Sequence, residues 1–129
     1  MIEYGFVKSI DKSFDDVCKI LPEEAQKEGF GILTKIDIKE KLQEKLGVDF
    51  TRYTIFGACN PPNAYKALSA EENIGLMLPC NIVVYEKEGK TVLSVIKPTV
   101  AMNSVNNDAL LPIAQEIEGR LKRIFDSIG

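Results

Sequence analysis

The stretch from Asn81 to Pro98, NIVVYEKEGKTVLSVIKP, decides the fold class. Two runs rich in β-branched residues flank the tetrapeptide KEGK, and this pattern predicts a β-hairpin with its turn near Gly89. A closing hairpin favours an antiparallel sheet and an α+β layer arrangement. The alternative is a doubly wound parallel sheet, which fits the hairpin poorly and for which the chain lacks a glycine-rich phosphate turn.

Strand-like and helix-like segments alternate upstream of the hairpin. Residues of period two predict strands at 2–9, 30–36 and 52–59. Each strand is followed by a helix start, and the predicted caps are Ser13, Asp37 and Asn60. Pro22 lies inside the first helical pattern, where we expect it to kink the helix or restart it.

The end of the chain carries the longest helical pattern. Apolar residues recur at helical spacing from Leu110 to Ile128, and Asn106 or Asn107 is the expected cap. The predicted order is therefore β-α-β-α-β-α-β-β-α. Because no repeat or linker interrupts it, residues 1–129 are expected to form a single domain.

The composition of the chain limits the kinds of molecule that the protein can bind. The chain has 129 residues, of which 45% are apolar and 27% charged, as in one compact domain. Its net charge of −3 and its scattered aromatic residues argue against a nucleic-acid partner. No apolar run reaches the ~20 residues of a membrane span, and the N-terminus does not resemble a signal peptide. We expect a cytoplasmic protein with no membrane partner.

The absence of histidine limits the kinds of catalytic site and metal site that the chain can form. Histidine is the commonest general base and metal ligand, and the chain has none. The carboxylates and the three cysteines do not occur at metal-ligand spacing. The sequence therefore predicts neither a metal site nor a cofactor.

Both faces of the central strands are apolar. Alternation places Tyr53, Ile55 and Cys59 on one side of the strand at 52–59 and Phe56 and Ala58 on the other. A sheet with two apolar faces has to be covered on both. The short helices can supply this cover, and a partner subunit is equally able to; of the two we expect a homodimer.

Two motifs carry a family resemblance. The segments YTIFGACNPPNAYKAL (53–68) and GLMLPCNIVVYE (75–86), with the amphipathic terminal helix, resemble the family called domain of unknown function 302. The resemblance implies a TATA-binding-protein-like α+β fold, with an antiparallel sheet packed on a long C-terminal helix, and it implies homodimers. The family's Asn-Pro and Leu-Pro pairs match Asn60–Pro61 and Leu78–Pro79. The family has no established activity, so the resemblance implies a shape and a site location.

The cysteines are one candidate for chemistry. Cys59 immediately precedes a predicted helix start, where the helix dipole favours a thiolate. Cys80 opens the following strand, so the two sulfurs could approach each other across neighbouring strands. This arrangement predicts a thiol-dependent redox enzyme or sensor in which Cys59 attacks and Cys80 resolves. The alternative interpretation is that both are small buried packing residues.

The loop that follows Cys59 is the second candidate and the leading hypothesis. Asn60, Asn63 and Tyr65 offer hydrogen-bonding groups, while Leu76 and Met77 offer apolar walls. These residues predict a homodimeric ligand-binding or sensory domain with a small anionic or amphipathic ligand near residues 57–66 and 76–81. A third hypothesis is a structural or interaction module without a ligand. Whether the protein is an enzyme stays open at this point.

Overall fold

The computed structural model describes residues 2–129, which form one layer of five strands and one layer of helices. The strands are β1 Gly5–Ile10, β2 Gly31–Asp37, β3 Tyr53–Cys59, β4 Cys80–Lys87 and β5 Lys90–Ile96. The α-helices are α1 Phe14–Lys27, α2 Ile38–Leu46, α3 Pro61–Ala70, α4 Pro98–Ala101 and α5 Leu110–Ser127. Two 3-10 helices span Glu72–Met77 and Asn103–Val105. None of the helices formed by residues 2–129 is long and apolar enough to cross a membrane.

The sheet confirms the predicted α+β class. Its strand order is β1-β5-β4-β3-β2, and every neighbouring pair is antiparallel. The hairpin between β4 and β5 has a two-residue turn, Glu88–Gly89, with φ values of 53° and 78°. Positive φ at both turn residues gives the backbone twist that matches paired strands. The hairpin prediction is confirmed.

The first helix differs from the prediction at its proline. Ser13 caps α1 as expected and accepts a hydrogen bond from the Asp16 amide at 3.1 Å. The helix then runs through Pro22 without restarting, so that alternative of the prediction is wrong. The physical reason is tertiary packing, because α1 buries Val17 and Leu21 before the proline and Ala25 after it in the same core.

The start of α5 also differs from the prediction. The cap residue is Ala109, not either of the two preceding asparagines. Asn107 accepts from the Ala109 amide at 3.0 Å, and its Nδ2 donates to the Ala70 carbonyl at 3.0 Å. Asn107 therefore fixes the loop to the end of α3. Asn106 adopts a left-handed conformation with a φ of 59°.

Helices cover one face of the sheet. The side chains of α1 and α5 pack with the inward residues of the strands in one core. Phe56 and Ala58 of β3 belong to this core, as alternation predicts. A second, smaller core forms where the middle of the chain meets α5, and its buried members are Ala67, Ile74, Met102, Leu110 and Ala114.

The other face of the sheet is open and apolar. Strand alternation and the pairing register place on it Val7, Ile36, Tyr53, Ile55, Val83, Tyr85, Val92 and Ile96. Tyr53 and Tyr85 stack there, with ring centroids 5.2 Å apart. The lysines on this face, Lys87 and Lys90, flank the turn of the β4–β5 hairpin. We call this surface the open face.

Candidate functional site

A groove lies at the end of the sheet where β4 begins and β5 ends. It has a volume of about 270 Å³ and separates two segments, Leu76–Asn81 and Ile96–Met102. Its described lining residues are Leu76, Met77, Leu78, Pro79, Cys80, Asn81, Ile96, Pro98, Ala101 and Met102. We call it the hairpin-end groove. It contains two of the predicted binding residues, Leu76 and Met77.

Buried anchors hold the two walls of the groove. On one wall, Ile74 inserts into the second core while Leu76, two residues later, is 89% exposed. On the other wall, Glu118 of α5 accepts hydrogen bonds from the Thr99 amide at 3.0 Å and the Thr99 hydroxyl at 2.6 Å. This carboxylate satisfies an otherwise free amide at the start of α4. Both walls are therefore fixed to α5 or to the core beneath it.

The lining chemistry favours an apolar or amphipathic ligand. Among the described lining residues none carries a charged side chain, and the polar side-chain groups are the Asn81 amide and the Cys80 thiol. An apolar cleft with few polar groups is the usual form of a small-molecule site. No cationic side chain lines the groove to pair with an anion. Of the two predicted ligand types, anionic and amphipathic, the groove therefore suits the amphipathic one.

The predicted asparagines lie outside the groove lining and are engaged within the protein. Asn60 is 7% exposed, and its Oδ1 accepts from the Asn63 amide at 3.2 Å and from Asn63 Nδ2 at 3.0 Å. Its Nδ2 donates to the carbonyls of Gly29 at 3.2 Å and Glu28 at 3.4 Å. Every hydrogen-bonding group of this amide has a partner. Asn60 thus caps α3 and ties it to the end of α1.

Tyr65 is separated from the other predicted residues. It is 75% exposed on α3, and its side chain is not part of the groove lining. The structure therefore brings Leu76 and Met77 together in one groove, and it places Asn60 and Asn63 in a buried capping network and Tyr65 on the outside of a helix.

The cysteines do not form a cross-strand pair. The register pairs Cys80 with Ala58, whereas Cys59 pairs with Gly31. Successive strand residues point to opposite faces, so Cys59 follows Ala58 onto the opposite side from Cys80. Both thiols are free. Burial, with a smaller contribution from Cys59, raises the pKa of the Cys80 thiol from about 9.0 to about 12.

Gly57 lets the groove wall approach the sheet. A Cβ atom at this position would lie 2.6 Å from Pro79 Cγ and would also overlap the Thr34 hydroxyl. The absence of a side chain is therefore what allows Pro79 to pack across β3. Gly57 is also buried.

Sequence reasoning missed the second wall of the groove. Ile96, Pro98, Ala101 and Met102 line it, and none of them was predicted as a site residue. A signal was present, because a two-residue turn at Gly89 pairs Ile82 with Val95 and so brings the residues after β5 beside those before β4. The short helix α4 that completes the wall has no strong local pattern.

Comparison with known proteins agrees with this architecture. The family model described as "Domain of unknown function DUF302" matches residues 6–128. The chain is similar to the crystal structure of an uncharacterized conserved DUF302 protein from Bacillus stearothermophilus, with a TM-score of 0.93 and 35% sequence identity. That match covers 99% of this chain and 100% of the other. No curated protein matches the chain. The chain belongs to the DUF302 family.

Proposed function

We propose that the protein is a homodimeric ligand-binding domain and that its ligand occupies the hairpin-end groove. The observation that carries the proposal is the groove itself, an apolar cleft of about 270 Å³ with one amide at its rim. The ligand class is a small amphipathic molecule whose apolar part contacts Leu76, Met77 and Met102. Asn81 supplies a hydrogen bond to its polar end.

Exposure of the lining supports this role. Leu76 is 89% exposed and Met77 is also exposed, although both are apolar and lie at the rim of the same groove. Neighbouring exposed apolar residues around a cleft are typical of binding surfaces. Methionine, an unbranched thioether, adapts to ligands of different shape.

The test uses 1-naphthol, an uncharged probe with an apolar body and one hydroxyl. Ala101→Phe places a ring in the groove, whereas Val100→Phe changes the neighbouring residue, which is exposed and outside the lining. We expect Ala101→Phe to weaken naphthol binding about tenfold or more, and Val100→Phe to leave it unchanged. Equal binding by both variants, measured by isothermal titration calorimetry, would refute the site.

The dimer part of the proposal rests on the open face. An antiparallel sheet with one solvated face normally presents polar residues on that face, but here every strand contributes at least one apolar side chain, with the polar residues Ser9, Thr34 and Ser94 among them. Val7 and Ile36 are exposed on it. Since the lysines Lys87 and Lys90 lie at one end, two copies can meet over the centre without opposing charges.

Sedimentation equilibrium tests the dimer. Val83→Glu puts a carboxylate in the centre of the open face, and Leu111→Glu puts one on an exposed position of α5 as the matched control. We expect a dimeric wild type, a monomeric Val83→Glu variant and a dimeric Leu111→Glu variant. A monomeric wild type at 100 μM, or a dimeric Val83→Glu variant, would contradict the assignment.

The thiol hypothesis has less support than the groove. Cys80 is buried and its pKa is raised to about 12, so the resolving thiol of the predicted pair is neutral near pH 7. The two cysteines are also not opposite each other in the strand register, although both border one small cavity. A redox role for Cys59 and Cys80 stays a prediction, and iodoacetamide labelling of the native protein tests it.

A further inference from the structure

A second site lies on the edge strand β1, on the helix-covered side of the sheet. Phe6 of β1 and Phe125 of α5 form a ring pair with centroids 5.6 Å apart. Lysine ammonium groups lie within cation–π distance of both rings. Lys8 Nζ lies 4.6 Å from the Phe125 centroid, and Lys97 Nζ lies 4.8 Å from the Phe6 centroid. We call these residues, with Lys122, the lysine–phenylalanine cluster.

The ammonium group of Lys122 lies near both rings of the cluster. Its Nζ lies 5.7 Å from the Phe6 centroid and 5.8 Å from the Phe125 centroid. It also donates to both carboxylate oxygens of Asp126, at 2.6 Å and 2.8 Å. The cluster therefore holds three ammonium groups against one directly bonded carboxylate, and it has an excess of two positive charges.

Unpaired lysines give the cluster its positive charge in this acidic chain. Some arginines and lysines elsewhere pair with carboxylates within 4.0 Å, for example Arg120 with Glu116, whereas others, such as Lys35 and Lys66, form no ion pair among the described residues. Within residues 2–129, neither Lys8 nor Lys97 has such an ion pair. Burial lowers the pKa of Lys8, and the neighbouring Lys122 lowers it further against the opposing effect of Asp126.

The surface beside the cluster is concave. A groove of about 630 Å³ runs around the β1 edge of the sheet. Its lining combines Lys8, Lys97, Phe6 and Phe125 of the cluster with Val7, Tyr85, Lys87 and Val92 of the open face. No carboxylate side chain occurs among the described residues that line it. A concave, cationic surface without acidic groups concentrates anions.

We propose that the lysine–phenylalanine cluster binds the phosphate group of a small organic phosphate monoester. A monoester carries close to two negative charges above its second pKa of about 6, which matches the excess of the cluster. Lysine ammonium groups bind phosphate as point charges. The organic part contacts Phe6 at the margin of the groove, where this ring is half-buried, while Phe125 is buried.

The site shares no lining residue with the hairpin-end groove. Lys8 belongs to β1, which contributes no lining residue to the hairpin-end groove. Lys8 and Phe6 lie on the helix-covered side, whereas Val7, Tyr85 and Val92 of the open face line the other side of the same groove. A second copy on the open face would therefore border the phosphate site on the side away from Lys8. Lys97 adjoins Ile96 and Pro98 of the hairpin-end groove, so Lys8 is the position that separates the two sites.

The test titrates ¹⁵N-labelled protein with phenyl phosphate, inorganic phosphate and phenol. We expect phenyl phosphate to shift the amide signals of Phe6, Lys8 and Phe125, and phenol to leave them unshifted. Lys8→Met keeps the apolar stem and removes the charge, and with Lys97→Met it should weaken binding about tenfold or more. Lys66→Met, on the exposed side of α3, is the control and should bind as wild type.

Three outcomes of these titrations would overturn the proposal. They are the absence of shifts at the cluster with phenyl phosphate, unchanged affinity in the Lys8→Met/Lys97→Met variant, and equal loss of affinity in Lys66→Met. Affinity should also fall as salt rises from 50 mM to 500 mM, since salt screens the attraction between the phosphate and these partly exposed ammonium groups. Binding that is insensitive to salt would contradict a charge-based site. Naphthol binding in Lys8→Met should equal wild type, which keeps this test separate from that of the hairpin-end groove.

Discussion

The structure assigns Asn60 to folding, and replacing it with alanine tests this directly. Its side chain caps α3 through the Asn63 amide and donates to the carbonyls of Gly29 and Glu28 at the end of α1. Asn60→Ala removes all of these bonds in a buried position. The Glu28 carbonyl keeps one hydrogen-bond partner in this variant, because it also accepts from Arg120 Nη1 at 3.0 Å.

The loss of stability expected for Asn60→Ala follows from the groups that lose a hydrogen-bond partner. Loss of an N-cap side chain costs about 1 kcal/mol. The buried side-chain Nδ2 of Asn63 and the carbonyl of Gly29 also lose their hydrogen bonds to Asn60, which costs roughly 1–3 kcal/mol together. We therefore expect Asn60→Ala to lower the free energy of unfolding by roughly 2–4 kcal/mol. This is a large part of the ~5–15 kcal/mol typical of a domain.

Urea unfolding followed by circular dichroism measures this change. Asn60→Asp keeps the cap acceptor but replaces the donor with an oxygen facing two carbonyls, so it should be destabilised less than Asn60→Ala but clearly more than wild type. Asn73→Ala, at an exposed position, is the control and should change stability by less than about 0.5 kcal/mol. An Asn60→Ala protein as stable as wild type would refute the structural role.

Three further predictions concern backbone packing and burial. Gly57→Ala should lower the free energy of unfolding by about 1–3 kcal/mol in a urea titration, because its Cβ would overlap Pro79, and unchanged stability would contradict that close approach. Pro22→Ala should raise stability by about 1 kcal/mol or more because it restores a helix hydrogen bond, whereas Pro112→Ala, in the first turn of α5, should have little effect; equal effects would contradict this difference. The raised pKa of Cys80 means that its burial stabilises the fold fully below pH 9.0 and loses this contribution as pH rises towards 12. The stability difference between wild type and Cys80→Ala should therefore shrink from pH 8 to pH 10.5, and a constant difference would show that the thiol titrates normally.

Local signals predicted most of the fold because they depend on residues close in sequence. The Ser13, Asp37 and Asn60 caps each act on an amide three residues away, and the side chain of each accepts the expected bond. The hairpin turn at Gly89 depends on its own backbone and on its two flanking strands. These parts of the structure could be predicted before any tertiary contact was known.

Tertiary contacts account for what the sequence did not reveal. The second groove wall, α4, is held by Glu118, which lies 19 residues after Thr99 in the chain. Asn60 has the residue type of a ligand contact, but its donors are used by carbonyls 31 and 32 residues earlier. The lysine–phenylalanine cluster combines β1, α5 and the residue after β5, and no local spacing connects them.

The most direct test of the proposed function is a map of the backbone amide shifts that 1-naphthol causes in the wild-type protein. The account predicts that the shifts concentrate on the two groove walls, at Leu76, Met77, Ala101 and Met102, and that the amides of Tyr65 and of the cluster residue Lys8 stay in place. Shifts centred on α3, or no shifts at millimolar naphthol, would contradict the assignment of the hairpin-end groove as the ligand site.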